Sequence, residues 1–190
     1  MARSRICTYR SASKMLRSVC VSMLLATALA AAPAQADESC VDFKWDVAQE
    51  RALFAGTATP LAAATEAKSA PALLLNHLYE LKLANQEQVS FAVTPGKKSP
   101  RAESHGGLVI FKIPASGSYR VAIDMPFWVD VVSNGALVAA NDFQGQHGCN
   151  SPHKIVQFDL LGTRPFLLQL SNAAPDSVRL TLTATPVRKL

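Results

Sequence analysis

The chain has little charge of either sign, and no surplus once its first segment is set aside. Charged residues make up 17% of its 190 positions, and the formal excess is +5. Residues 1–36 hold five basic residues (Arg3, Arg5, Arg10, Lys14, Arg17) and no acid, and removing those five from the 19 Lys/Arg leaves 14 against 14 Asp/Glu in residues 37–190. A neutral body lacks the basic footprint that nucleic acids and anionic membranes need, so neither is expected as a partner. Long hydrophobic runs are also missing. The apolar stretch Val19–Ala32 is 14 residues and includes Ser22 and Thr27, short of the roughly 20 that a membrane-spanning helix needs.

Catalytic signatures are missing too. There is no Gly-x-Ser-x-Gly elbow, no His-Glu-x-x-His and no glycine loop that opens a helix to cradle phosphate. A non-enzymatic protein without a cofactor is the expectation. Asp124 and Asp130 flank Trp128, but alternation puts Asp130 on the Trp128 face, which reads as a surface pair beside an aromatic rather than a glycosidase dyad.

What the first segment does contain is an export signal. A basic stretch precedes the apolar run, and Ala34-Gln35-Ala36 supplies the small-x-small cleavage pattern before Asp37. No Arg-Arg pair occurs, which favours Sec-type export to the periplasm or beyond. A start at Met15 would give a signal of more usual length than one at Met1. Val19 and Arg17 before Cys20 do not suit lipoprotein processing. Residues 1–36 are therefore read as the signal, residues 37–76 as an N-terminal helix with an Ala/Pro-rich connector, and residues 77–190 as the main domain. No membrane span is expected after cleavage.

Cysteine is scarce. Two of the four leave with the signal, and Cys40 and Cys149 remain in an oxidising compartment where thiols usually pair. A Cys40–Cys149 disulfide would close a loop of about 100 residues, for which chain entropy gives about 4.7 kcal/mol as an upper figure. The alternatives are unpaired thiols or metal ligation by Cys149.

Val41, Trp45, Ala48, Ala52 and Ala55 recur at helical spacing, with Ser39 and Asp42 as a capping signal and Gly56 as a stop. Trp45 is expected to plug this helix onto a sheet. Thr57–Ala72, with Pro60 and Pro71, carries no clear period. From Leu78 the period is two. Nine strands are read: Leu78–Leu83, Val89–Val93, Leu108–Ile113, Tyr119–Asp124, Trp128–Val132, Ala136–Ala140, Ile155–Leu160, Phe166–Leu170 and Val178–Thr185. Asn134-Gly135 marks a two-residue hairpin turn, and Asn172–Asp176 a last hairpin. Residues 94–106 read as an exposed basic loop in which Lys97, Lys98 and Arg101 are solvated. Val178, Leu180 and Leu182 face inward, while Arg179, Thr181 and Thr183 are expected on a wet face. The expected fold is mainly β: an antiparallel, jelly-roll-like sandwich with the N-terminal helix packed against it.

The element Phe111–Ile123 (FKIPASGSYRVAI), the strand Trp128–Val132 (WVDVV), a strand of IVQFDL type and a closing SVRLTLT together resemble the bacterial pre-peptidase C-terminal type of β-sandwich over Gly107–Ala184. That resemblance implies a non-catalytic accessory module. The chain departs from the family in its thin set of acids, Asp124, Asp130, Asp142 and Asp159.

Binding candidates come from loops and rings. Asn141–His153 is the richest loop, with Phe143, His147, His153 and Cys149. Trp128, sharing its face with Asp130, is the ring expected to be partly exposed, while Tyr119 and Phe127 fill the core more often than they stack on sugars. His77, amid leucines, reads as a packing residue. His105, His147 and His153 carry the alternative reading, a periplasmic metal-handling protein for copper or zinc, since imidazole and thiolate suit those ions. The leading reading is an exported binding or accessory module of the envelope, with a protein or glycan partner.

The exported protein is expected to begin at Asp37. Intact-mass measurement checks this, and a mature species that retains Met1 or Met15 contradicts it.

Overall fold

The computed structural model describes residues 43–97 and 102–185. Residues 1–36, read as an export signal, lie outside them, as do Cys40, the expected capping pair Ser39 and Asp42, and Lys98 and Arg101. No helix among the described residues is long and apolar enough to cross a membrane.

One helix, α1 (Ala48–Phe54), precedes twelve strands: β1 (Thr59–Ala62), β2 (Ala72–Leu73), β3 (Leu78–Lys82), β4 (Ala84–Asn85), β5 (His105–Phe111), β6 (Gly117–Ile123), β7 (Trp128–Ser133), β8 (Ala136–Val138), β9 (Ala140–Gly145), β10 (Lys154–Leu160), β11 (Phe166–Ala173) and β12 (Ser177–Ala184). Sheet one runs β1-β3-β12-β6-β10-β9. Sheet two runs β2-β5-β11-β7-β8, with β4 also paired to β5. The expected sandwich is thus present, but both sheets are mixed. β1 runs parallel to β3 and β2 parallel to β5. These short strands come from the Ala/Pro-rich stretch, which has no period of its own and takes extended structure only at sheet edges, where Pro60 is tolerated.

Alternation fills the space between the sheets. Leu81, Val121, Ile123, Phe158, Leu180 and Leu182 of sheet one meet Val109, Phe111, Val131, Leu168 and Leu170 of sheet two in one buried cluster. Each such side chain contributes about 1.5–3 kcal/mol when fully buried. Gly107 is required by a close crossing: a Cβ there would lie 2.6 Å from that of Ala63.

The connections decide which strands face each other. Asn134 (φ 51°) and Gly135 (φ 74°) turn β7 into β8 as the sequence indicates. The segment read as one strand, Ala136–Ala140, instead breaks at Ala139: β8 ends sheet two and β9 ends sheet one. Asn172–Asp176 is not a hairpin either, because β11 and β12 belong to different sheets. Val89–Val93 forms no strand among the named elements. Ser90 N–H donates to the Thr65 carbonyl at 2.8 Å, and the end of the segment bonds to one buried side chain: Gln169 Oε1 accepts from Ala92 N at 2.9 Å and Val93 N at 3.2 Å, and Gln169 Nε2 donates to the Val93 carbonyl at 3.0 Å. A side-chain amide does there what a neighbouring strand would do.

Part of the outer face of sheet one is covered by residues 43–56, and this overturns two expectations. The helix is shorter than its alanine periodicity suggested and buries Val47, Glu50 and Phe54 rather than the alanines. Asp46 Oδ1 accepts the Ala48 N–H at 2.9 Å. The Thr181–Thr183 face is consequently dry, with both threonines at 0% exposure. A second apolar cluster of Val47, Phe54, Leu78, Ala122 and Ile155, with half-buried Phe43 and Trp45 against it, joins this cap to the sheet.

At its centre sits Arg120. Its Nη1 donates to the Asp46 carbonyl at 2.8 Å and lies 3.5 Å from Glu50 Oε1, its Nε donates to Gln157 Oε1 at 3.3 Å, and its guanidinium lies 5.1 Å from the Trp45 ring centroid. Thr183 donates to the same Glu50 oxygen at 2.7 Å. Removing one partner of a buried pair leaves the other charge uncompensated. Glu50→Ala is therefore expected to cost about 3 kcal/mol in urea unfolding, and a change below about 0.5 kcal/mol, the usual surface value, contradicts the ion pair's role.

Candidate binding site

The break at Ala139 brings together residues that belong to opposite sheets. Trp128 opens β7 opposite Ser171 of β11. Phe143 lies on β9 opposite Val156 of β10, and Lys154 opens β10 opposite Gly145. Trp128, Val129, Ala140, Phe143, Lys154 and Val156 line one cleft of about 180 Å³. Two of the four residues singled out for binding, Trp128 and Phe143, therefore share a site.

Trp128 is half-buried, and Phe143 is 66% exposed. Among the described residues Phe143 is the one exposed Phe, Tyr or Trp ring. Tyr119 and Phe127 fill the core at 5% and 0% exposure. The Trp128 ring is fixed by Asp130, whose Oδ1 accepts its Nε1–H at 3.0 Å and whose Oδ2 accepts the Gly96 N–H at 2.9 Å. That second bond holds the chain beside Lys97.

Two ammonium groups flank the indole. Lys154 Nζ lies 5.4 Å and Lys97 Nζ 5.8 Å from the ring centroid, within the range of a cation–π attraction. Lys154 also donates to the Phe127 carbonyl at 3.0 Å. Burial among apolar neighbours pulls the Lys154 pKa below the ordinary lysine value. Asp130 opposes that shift and Lys97 adds to it. Lys97 is exposed, as expected, and its ammonium also faces the Trp128 ring. Lys154 was missed, although a lysine that opens the apolar strand Ile155–Leu160 was a usable signal.

The other candidates lie elsewhere. His147 is exposed and His153 half-buried in the β9–β10 connection, their ring centroids 6.4 Å apart and edge-on. His153 Nδ1 is 3.2 Å from the Cys149 carbonyl oxygen. Neither histidine lines the cleft, and the loop expected at Asn141–His153 is strand as far as Gly145. His105 opens β5 rather than sitting in a loop, with Nδ1 2.8 Å from the Ala174 carbonyl oxygen. No three His, Cys, Asp or Glu side chains gather as a metal-binding group among the described residues. His77 is exposed rather than partly buried, though its ring lies 4.8 Å from that of Tyr79, and its Nε2 is 2.8 Å from Thr59 Oγ1.

Cys149 is buried at 3% exposure with Sγ 3.0 Å from the Pro152 carbonyl oxygen. Asp124 is held by Arg179, from Nε at 2.9 Å and from the backbone N–H at 2.8 Å. Asp130 is engaged by Trp128 and Gly96, and both carboxylates are buried rather than on the surface. Protein-family models and curated proteins were compared with the chain, and none matches.

The Lys154 environment is directly measurable. By NMR titration of its side chain, Lys154 is expected to deprotonate below the ordinary lysine range, and Asp130→Asn to lower that point further by removing the one charge that opposes the shift. Between the folded pKa and the ordinary value the unfolded chain binds the extra proton, so this group's contribution to stability rises with pH across that window. Titration at or above the ordinary lysine value contradicts the desolvation.

Proposed function

We propose that the chain is an exported, non-catalytic β-sandwich that serves the cell envelope as a binding module and takes its partner, an envelope protein or a glycan, at the Trp128–Phe143 cleft. The reading agrees with the Sec-type signal pattern of residues 1–36 and with the accessory-module character implied by the resemblance over Gly107–Ala184. A Cys40–Cys149 disulfide belongs to the same proposal. It would tie the segment before the helical cap to the β9–β10 connection beside the cleft.

The observation that carries the reading is the exposure of Phe143. A phenyl ring left 66% exposed at the mouth of an apolar cleft gains nothing from folding and much from a partner that covers it. Nucleophile–base geometry is absent from the cleft lining, whose polar groups are the Lys154 ammonium and the Trp128 indole N–H.

Phe143→Ala is expected to change unfolding stability by no more than about 0.5 kcal/mol, because the ring is mostly solvated. The same variant is expected to lower retention of the exported protein by its envelope fraction about tenfold or more, the loss a buried aromatic anchor implies. Leu161→Ala, at an 80% exposed leucine outside the cleft, is the control. Equal retention of wild type and Phe143→Ala, or equal loss in both variants, contradicts the proposal.

A further inference from the structure

The cleft's contents restrict what it can hold. About 180 Å³ is small for a ligand pocket, since drug-sized sites start near 300 Å³, while an engineered apolar cavity of about 150 Å³ accepts benzene. One ring or one branched aliphatic group fits. An oligosaccharide chain does not, and the Trp128 ring is already attended by two ammonium groups, so it is no bare platform for a sugar. Side chains from both sheets supply the walls: Val129 from β7, Ala140 and Phe143 from β9, Val156 from β10.

The charges act in one direction. Among the described residues the charges acting on Lys154 are Lys97, which repels it, and Asp130, which attracts it, and both Asp130 oxygens already accept hydrogen bonds, from Trp128 Nε1 and Gly96 N. Lys154 has, among the described residues, one acceptor, the Phe127 carbonyl, for three donor hydrogens. An anion placed at the cleft would complete its hydrogen bonding and offset its desolvation.

Resting on the binding reading above, we infer that the cleft recognises a carboxylate carried on a ring-sized apolar group, the apolar part between Trp128 and Phe143 and the carboxylate on Lys154, with Lys97 assisting. Such a ligand could be a free small acid or the C-terminal residue of a polypeptide, which share this chemistry. Lys154 must be protonated to bind it. The groups that act on its charge are Asp130, which favours protonation, and Lys97, which disfavours it. Affinity therefore falls as pH rises, and falls at a lower pH than an ordinary lysine would give.

The test uses three probes on the full exported protein: 3-phenylpropionate, N-acetyl-Gly-Gly-Phe with a free carboxylate, and the same peptide as its C-terminal amide. Binding is read from the Trp128 indole N–H resonance, with Trp45 as internal reference. Both acids are expected to shift the Trp128 signal, and the amide to bind about tenfold or more weakly, the factor expected for a lost charge-assisted hydrogen bond. Lys154→Gln is expected to erase the difference between acid and amide peptide. Lys97→Gln, at an exposed residue that the fold does not need, is expected to narrow it. Tighter binding of the acid peptide than of phenylpropionate assigns the ligand to a chain terminus, and equal binding assigns it to a free acid. If acid and amide bind alike, the carboxylate inference is overturned and the cleft reading stands. If no probe moves Trp128 while envelope retention still depends on Phe143, the ligand class alone is overturned. If retention is also independent of Phe143, the cleft reading falls with it.

Discussion

Arg120 is the residue on which the arrangement of the molecule depends. Sheet one has two faces to bury, and only the inner one meets sheet two. The outer face carries Arg120, Ala122, Thr181 and Thr183, all nearly inaccessible to solvent. A guanidinium there is tolerable only if its donors are met, and the segment that meets them is the N-terminal cap: Asp46 by its carbonyl, Glu50 by its carboxylate, Trp45 by its ring. Hydrophobic burial of Val47 and Phe54 supplies the attraction. The ion pair fixes where along the sheet the cap sits, since a shift of one helical turn would leave Arg120 unpaired. Arg179 repeats the arrangement at the end of the cap, bonded to Asp124 with its guanidinium 5.4 Å from the Phe54 ring centroid.

The same economy explains why a cleft exists and where. The inner face of sheet one and the part of its outer face around Arg120 are filled, and the Trp128–Phe143 cleft lies where the two sheets part. The chain leaves sheet two after β8 and joins sheet one at β9, both terminal strands. Their departure opens the sandwich between β7 and the β9–β10 pair. Trp128 and Lys154, the first residues of β7 and β10, lie at that opening, and Phe143 reaches it from the edge strand.

What the sequence made legible was whatever a single strand or turn decides. Asn134-Gly135 named its own turn, because few other pairs accept positive φ twice. Leu180 and Leu182 announced an inner face, and Trp128 with Asp130 an outer one. What lay beyond reach depended on a second element. Thr181 and Thr183 read as wet because nothing local says that a helix will cover them. Val89–Val93 alternates like a strand, yet its partner is the side chain of Gln169, 76 residues away from Val93. The helix period was right in kind but wrong in face, since small alanines at regular spacing look apolar while Glu50, with a buried arginine to meet, lies inward. Phe143 and Trp128 could be chosen singly from their surroundings. Their meeting, and the part of Lys154 in it, follow from the change of sheet at Ala139, which no local pattern encodes.

The two tryptophans permit a direct test, because Trp45 lies in the cap and Trp128 in the cleft. With both replaced by 5-fluorotryptophan, the fluorine spectrum of the protein gives one resonance for each, and envelope extract can be titrated against it. The account predicts that the Trp128 resonance shifts or broadens while that of Trp45 stays in place, and that Phe143→Ala abolishes the response. A spectrum in which neither resonance moves, or in which both move together, would contradict it.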